Sequence, residues 1–172
     1  MKGKYDNFPE MYHGIAILSS KISQQNLQRV LISLFYKINR GEENVEMPIP
    51  ENQYIRLVCE IGIADSLTFN FIDEEEKERW LNFLKKSFKT LDFIWIARYY
   101  FSEKGKNRPL KSDYYMLRFI FRSEIVELRV YHERGTRRLH IEDLIRLIVT
   151  KVNQELRKEG KHPLRIEQLG AF

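Results

Sequence analysis

Apolar and polar residues alternate with a period of two in six stretches of this chain and recur at helical spacing in three more. Alternation predicts a strand with one buried side, and helical spacing predicts an amphipathic helix. Met11–Leu18 reads as the first strand. Ser20 or Ser23 then caps a helix from about Gln24 to Asn39, with Leu27, Val30, Leu31, Leu34, Phe35 and Ile38 as its apolar stripe and Gly41 as its stop. Residues 40–53 read as a polar loop in which Pro48 and Pro50 deny the backbone donors. Two strands follow, Gln53–Ile63 and Ser66–Ile72, with a turn around Gly62–Asp65. Asp73 caps a second helix whose first turn carries Glu74, Glu75 and Glu76, where the helix dipole favours negative charge. Its buried side is Trp80, Leu81, Leu84 and Phe88.

The second half is richer in strands. Leu91–Phe101 is one, and Asp113–Arg122 with Ile125–His132 forms a hairpin. Between them, Ser102–Ser112 reads as a loop carrying Lys104, Lys106, Arg108 and Lys111 beside Gly105 and Pro109. A turn at 133–138 leads to a helix from about His140 to Glu159, stopped by Gly160. The last residues, KHPLRIEQLGAF, carry no readable period. The predicted order is β-α-β-β-α-β-β-β-α over a single domain, 1–172. Its first six elements match a ferredoxin-like unit, extended by a hairpin and a helix. One apolar stripe per helix implies two layers: an α+β sandwich with a mostly antiparallel sheet of about six strands, helices on one face and the other face open.

The open face collects the chain's most distinctive residues. Tyr54 and Arg56, then Arg98 and Tyr100, then Tyr114, Arg118 and Arg122, then Arg129 and Tyr131 all lie opposite the apolar runs. Val58, Ile94, Ile96, Met116, Ile120 and Ile125 share their parity. If Arg122 opposes Ile125 across the hairpin, then Phe121 faces Val126, Phe119 faces Leu128 and Leu117 faces Val130 on the core side. The outer side then pairs Ile120 with Glu127, Met116 with Tyr131 and Arg118 with Arg129. Two arginines face to face require a counter-charge. It can come from Glu127 or Glu60 of the chain itself, from a nucleic acid or other polyanion, or from a second subunit.

Charge distribution bears on that choice. Residues 1–89 carry 12 Lys/Arg against 13 Asp/Glu, and residues 90–172 carry 17 against 11. The basic excess therefore lies in the second half, where His132, Arg134, Arg137, Arg138 and His140 cluster near Gly135. That turn could cradle an anion at a helix N-terminus, but Glu142 and Asp143 already serve the dipole. The charged fraction of 31% suits a heat-adapted protein with surface ion-pair networks. The single cysteine, Cys59, forbids an intrachain disulfide and has the parity of buried neighbours. Neither a signal sequence nor a membrane span is legible, so a soluble, cytoplasmic protein without membrane contact is expected.

No glycine-rich phosphate loop, dinucleotide fingerprint, zinc-helix motif or nucleophile elbow occurs. His13, His132, His140 and His162 lack metal-ligand spacing, so neither metal nor cofactor is expected. The chain reads as a non-catalytic binding or assembly module. The expected nucleic-acid or anion site is Arg56, Arg98, Tyr100, Tyr114, Arg118, Arg122, Arg129, Tyr131, Arg134, Arg137 and Arg138. The alternative is a homodimer or partner-binding protein using Val58, Ile94, Ile96, Met116, Ile120 and Ile125. An enzyme whose residues converge only in space is the third reading.

Overall fold

In the computed structural model, residues 1–43, 45 and 55–172 are described. Most of the predicted polar loop, with Pro48 and Pro50, and the expected strand residues Gln53 and Tyr54 lie outside the described residues. The described chain forms one antiparallel sheet of eight strands with three helices. In chain order the elements are β1 (Gly14–Ser19), α1 (Gln24–Arg40), β2 (Ile55–Asp65), β3 (Thr68–Phe71), α2 (Glu74–Phe83), β4 (Thr90–Glu103), β5 (Lys106–Pro109), β6 (Asp113–Arg122), β7 (Ile125–Arg134), α3 (Ile141–Lys158) and β8 (Arg165–Ala171).

The helices begin and end for local reasons. Ser23 caps α1 by accepting from the Asn26 N–H, and Gly41 closes it in the left-handed conformation at φ 81°. Asp73 caps α2 through the Glu76 N–H, above three glutamates in the first turn. Helix α2 stops at Phe83, short of the expected Phe88, where the chain turns and α1 side chains hold the following segment. Gln25 Nε2 donates to Leu84 O at 2.5 Å, and Arg29 Nη2 donates to the same carbonyl at 3.1 Å. The buried Gln28 amide clamps Phe88 on both sides, donating to its carbonyl at 2.7 Å and accepting its N–H at 2.9 Å.

Strands run in the order β3-β2-β4-β6-β7-β1-β8, with β5 also paired to β4. A ferredoxin-like core is not formed: β1 pairs with β7 and β8 and with none of β2, β3 or β4. The reason lies in the β6–β7 hairpin, which together with β4 separates β1 from β2. Crossing four strand spacings requires about 19 Å. Helix α1, with 17 residues, spans about 25 Å and makes the crossing in one step.

Two strands exceed the expected six. Strand β5 lies inside the segment expected to be a loop; all four of its residues are exposed, so no buried side imposes an alternation. Strand β8 occupies the unpatterned tail. Its register shifts opposite Ile17 and Leu18, which face Gln168 and Ile166. That bulge lets Ile166 and Leu169 pack on the same core although three positions apart. The expected turn at Gly62–Asp65 is likewise strand, and the chain reverses at Ser66 and Leu67, with Ser66 at φ 58°.

Alternate residues of the strands and the inner stripes of the helices enclose one apolar core. At its centre Phe35 of α1 meets Phe93 edge-on at 4.9 Å and Trp95 at 5.8 Å, and Phe93 meets Phe119 at 5.6 Å. All four rings are at least 98% buried. Such edge-to-face contacts add to the burial of large apolar surfaces. Phe93→Ala is therefore expected to cost about 3–5 kcal/mol, read as a lower midpoint in urea at unchanged slope.

Candidate interface on the outer sheet face

The hairpin register follows the parity of the sequence. Phe121 faces Val126, Phe119 faces Leu128, Leu117 faces Val130, and on the outer side Arg118 faces Arg129. Along β4 the outer residues are Asp92, Ile94, Ile96, Arg98 and Tyr100; along β2 they are Arg56, Val58 and Glu60. Neighbouring strands bring Ile94 beside Met116, Ile96 beside Tyr114 and Met116 beside Tyr131. Ile120 pairs with Glu127 and Arg122 with Ile125. These residues thus share one surface, which Ile15 and Ile17 of β1 extend.

The counter-charges come from the chain. Arg118 Nε and Nη2 each lie 2.8 Å from the Asp92 carboxylate, with side-chain exposures of 16% and 0%. Glu127 binds Arg129 at 2.7 Å and stands 4.0 Å from Arg122. Glu60 binds Arg98 at 2.9 Å. Asp92 was the partner that sequence reasoning missed, although it shares the parity of Ile94 and Arg98. Arg56 is exposed and, among the described residues, makes no ion pair.

The N-terminal residues cover one corner of this face. Gly3 inserts beside β4: its N–H donates to Ala64 O at 2.9 Å and its carbonyl accepts the Asp92 N–H at 2.6 Å. Farther along, the Tyr5 N–H donates to Asp92 Oδ2 at 2.7 Å, and Arg118 Nη2 donates to Tyr5 O at 3.3 Å. Phe8 lies under the Arg118 guanidinium at 4.3 Å, Tyr12 under Arg129 at 5.2 Å, and His13 stacks on Tyr131 at 4.7 Å. This strap closes the Arg118 corner and leaves Val58, Ile94, Ile96 and Met116 partly exposed beside Tyr100 and Tyr114.

The cationic turn before α3 divides between two places. Arg134 stacks on Tyr114 at 4.2 Å and joins the outer face. Arg137 and Arg138 instead serve a buried carboxylate, Asp113. Its Oδ1 accepts the Arg137 N–H at 2.7 Å and lies 2.9 Å from His132 Nε2; its Oδ2 accepts Tyr99 OH at 2.6 Å and the Arg138 N–H at 2.8 Å. Tyr99 OH in turn accepts the Leu139 N–H at 3.0 Å, and Tyr115 OH donates to Leu139 O. Gly135, at φ 113°, passes so close that a Cβ there would collide with Asp113 Oδ1. The anion of this turn is thus part of the fold.

Among the described residues, no group of three His, Cys, Asp or Glu could hold a metal. Cys59 is buried, which pushes its thiol up to about 12 and leaves it unreactive. Among the described residues no helix is long and apolar enough to cross a membrane. No family model and no curated protein matches the chain. Among solved structures it is similar to a chain from the toxic C-terminal tip of CdiA from Pseudomonas aeruginosa in complex with immune protein, at 12% identity and a TM-score of 0.24, over 86% of this chain and 78% of that one. A likeness so slight carries no argument about fold or function.

Three groups with lowered values link stability to acid pH. Burial, then the charges of Arg137 and His132, hold His13 below its ordinary value of 6.5. Burial would raise Asp113, but hydrogen bonds from Tyr99, His132 and the Arg137 and Arg138 amides outweigh it and leave the carboxyl lowered. Glu155 is lowered likewise, where Lys37 and Lys158 overcome the effect of burial. In each case the unfolded chain takes up its proton first, so stability falls with acidification. The His13 contribution is lost as the pH falls from 6.5 toward its lowered folded value. The carboxylate contributions are present above the ordinary carboxylate range and are lost as the pH falls through it to their folded values. Urea midpoints measured against pH should therefore decline in two stages, and Asp113→Asn should lower stability while flattening the acidic stage alone. Gly135→Ala should destabilise as well, by at least about 1 kcal/mol from its backbone conformation.

Proposed function

We propose that the chain is a non-catalytic assembly module whose outer sheet face binds a second copy of itself. The observation that carries this reading is the internal pairing of Arg98, Arg118 and Arg129 with Glu60, Asp92 and Glu127. Bare arginines on that face would repel a copy and call for an anion. Paired as they are, they leave Arg56 and Arg122 as the weakly countered cations of a surface on which partly exposed Val58, Ile94, Ile96 and Met116 lie among Arg and Tyr side chains. Aromatic residues and arginine around an aliphatic centre are the composition of an interface core.

Self-association fits better than an unlike partner for a further reason. A two-fold axis brings the same patch from both sides, so a contact between two residues across it is made twice, and an aliphatic strip whose neighbouring arginines are already paired within the chain can meet its own copy. The six adjacent strands β2, β4, β6, β7, β1 and β8 have an outer face of roughly 800 Å² at ordinary strand spacing and length, about what each partner of a standard interface buries, and the N-terminal strap covers its Arg118 corner. The polyanion reading of the same face loses its main support, because the Arg118–Arg129 opposition is answered by Asp92 and Glu127.

Light scattering on the purified chain should report a dimer at high micromolar concentration that persists as salt is raised. Ile96→Glu combined with Tyr100→Ala should give a monomer with a near-native circular dichroism spectrum. A monomeric parent at that concentration would sink the proposal.

A further inference from the structure

One end of the sheet carries a basic surface that the outer face does not include. The segment after α2 bears Lys85, Lys86 and Lys89, all exposed. It is held rigidly to α1 by the Gln25, Gln28 and Arg29 bonds to Leu84 and Phe88. The Phe121 N–H donates to Lys89 O at 2.9 Å, which brings the end of β6, with the exposed Arg122, beside these lysines. The Ser20 N–H donates to Glu124 O at 2.9 Å, which brings Lys21 and the start of α1 to the same end. Four lysines and an arginine from three separate connections therefore converge.

Little opposes their charge. Among the described residues none of the four lysines makes an ion pair, and Arg122 has only the 4.0 Å approach to a Glu127 already engaged by Arg129. Glu124 is the one carboxylate in the turns that bear these cations. The first turn of α1 contains no acidic residue, so its dipole adds to the positive potential. By contrast, Lys37, Lys151 and Lys158 on the helix side all bind Glu43 or Glu155. The basic end is thus a local charge excess, unlike the ion-paired lysines of the helix side.

We infer that this end, Lys21, Lys85, Lys86, Lys89 and Arg122, binds the phosphate backbone of nucleic acid without reading its bases. Lysines are flexible point charges suited to phosphates. No exposed aromatic ring stands among them to stack a base, and the exposed Ile125 with the half-buried Ile22 gives little to insert into a membrane. Contacts of this kind position a duplex but carry no sequence preference.

The test is fluorescence anisotropy of a labelled mixed-sequence DNA duplex titrated with the full chain in rising sodium chloride. Binding is expected at low salt, with log K falling against log salt at a slope of up to about −4.5 for five phosphate contacts. The Lys85→Glu, Lys86→Glu, Lys89→Glu variant should lose at least about tenfold in affinity and shallow the slope by about 3, while keeping its thermal midpoint. The Ile96→Glu, Tyr100→Ala variant should bind DNA as the parent does, which separates this site from the proposed dimer face. Absence of binding at low salt, undiminished binding by the lysine variant, or equal affinity for polyglutamate or for anionic phosphatidylserine vesicles would each overturn the inference.

Discussion

Across the middle of the sheet, Phe119 faces Leu128 and Leu117 faces Val130, and the rest of the molecule is laid down on that register. Side chains alternate with a period of two, so a slip of one residue would turn Arg118 and Arg122 into the core and Phe119 and Phe121 into water. Strand β4 takes its place from β6 through Phe93 opposite Leu117, and β1 takes its place from β7 through Ala16 opposite Leu128. The inner rings then present a single surface to α1, and every outer charge emerges on the other side. Both the apolar core and the chemistry of the outer face follow from one pairing that a one-residue slip would invert.

That same periodicity decides what could be read from the sequence. The hairpin, α1 with a serine cap at Ser20 or Ser23 and its Gly41 stop, and the common side of Arg98, Arg118 and Arg129 were legible because each is a local pattern with a buried side. Strand β5 was not, because all four of its residues are exposed. Strand β8 was not, because its bulge breaks the alternation while both Ile166 and Leu169 still pack inward. Topology was hidden for a different reason: alternation says which side a residue faces, never which strand lies beside it. The βαββαβ order fits a ferredoxin-like unit equally well until the long hairpin is placed between β4 and β1.

The polar groups that join the layers were harder still to foresee. Gln28 clamps both backbone groups of Phe88, Asn153 does the same for Leu164, and Asn39 holds Ile61 with a further bond to Ile72. Each is an amide on a helix that supplies one donor and one acceptor to backbone groups outside that helix: Phe88 and Leu164 lie in connections, and Ile61 lies in β2 just beyond the pairing with β3. A buried peptide group left without such bonds costs about 1–3 kcal/mol, so these amides are what let the connections run where they do. In the sequence they are ordinary polar positions within a helical stripe. Asp113 is the same case with a charge, since its four partners come from three separated parts of the chain.

The Arg118–Asp92 pair links the strap to the sheet. Asp92 is fully buried, and the N-terminal segment completes its surroundings: Tyr5 donates to the carboxylate, Gly3 accepts the Asp92 N–H, and Phe8 covers the guanidinium. A buried pair is costly to break, since losing one partner strands the other without solvent, at about 3–5 kcal/mol. Lifting the strap would take away two of the hydrogen bonds that offset this burial and open the pair to water. The closed corner of the outer face is therefore the more resistant one, and the strip from Val58 to Met116 is where a partner can approach without displacing anything. A face sealed by its own charges at one corner and left aliphatic at the other is directional, and that direction limits how two copies can be superposed upon it.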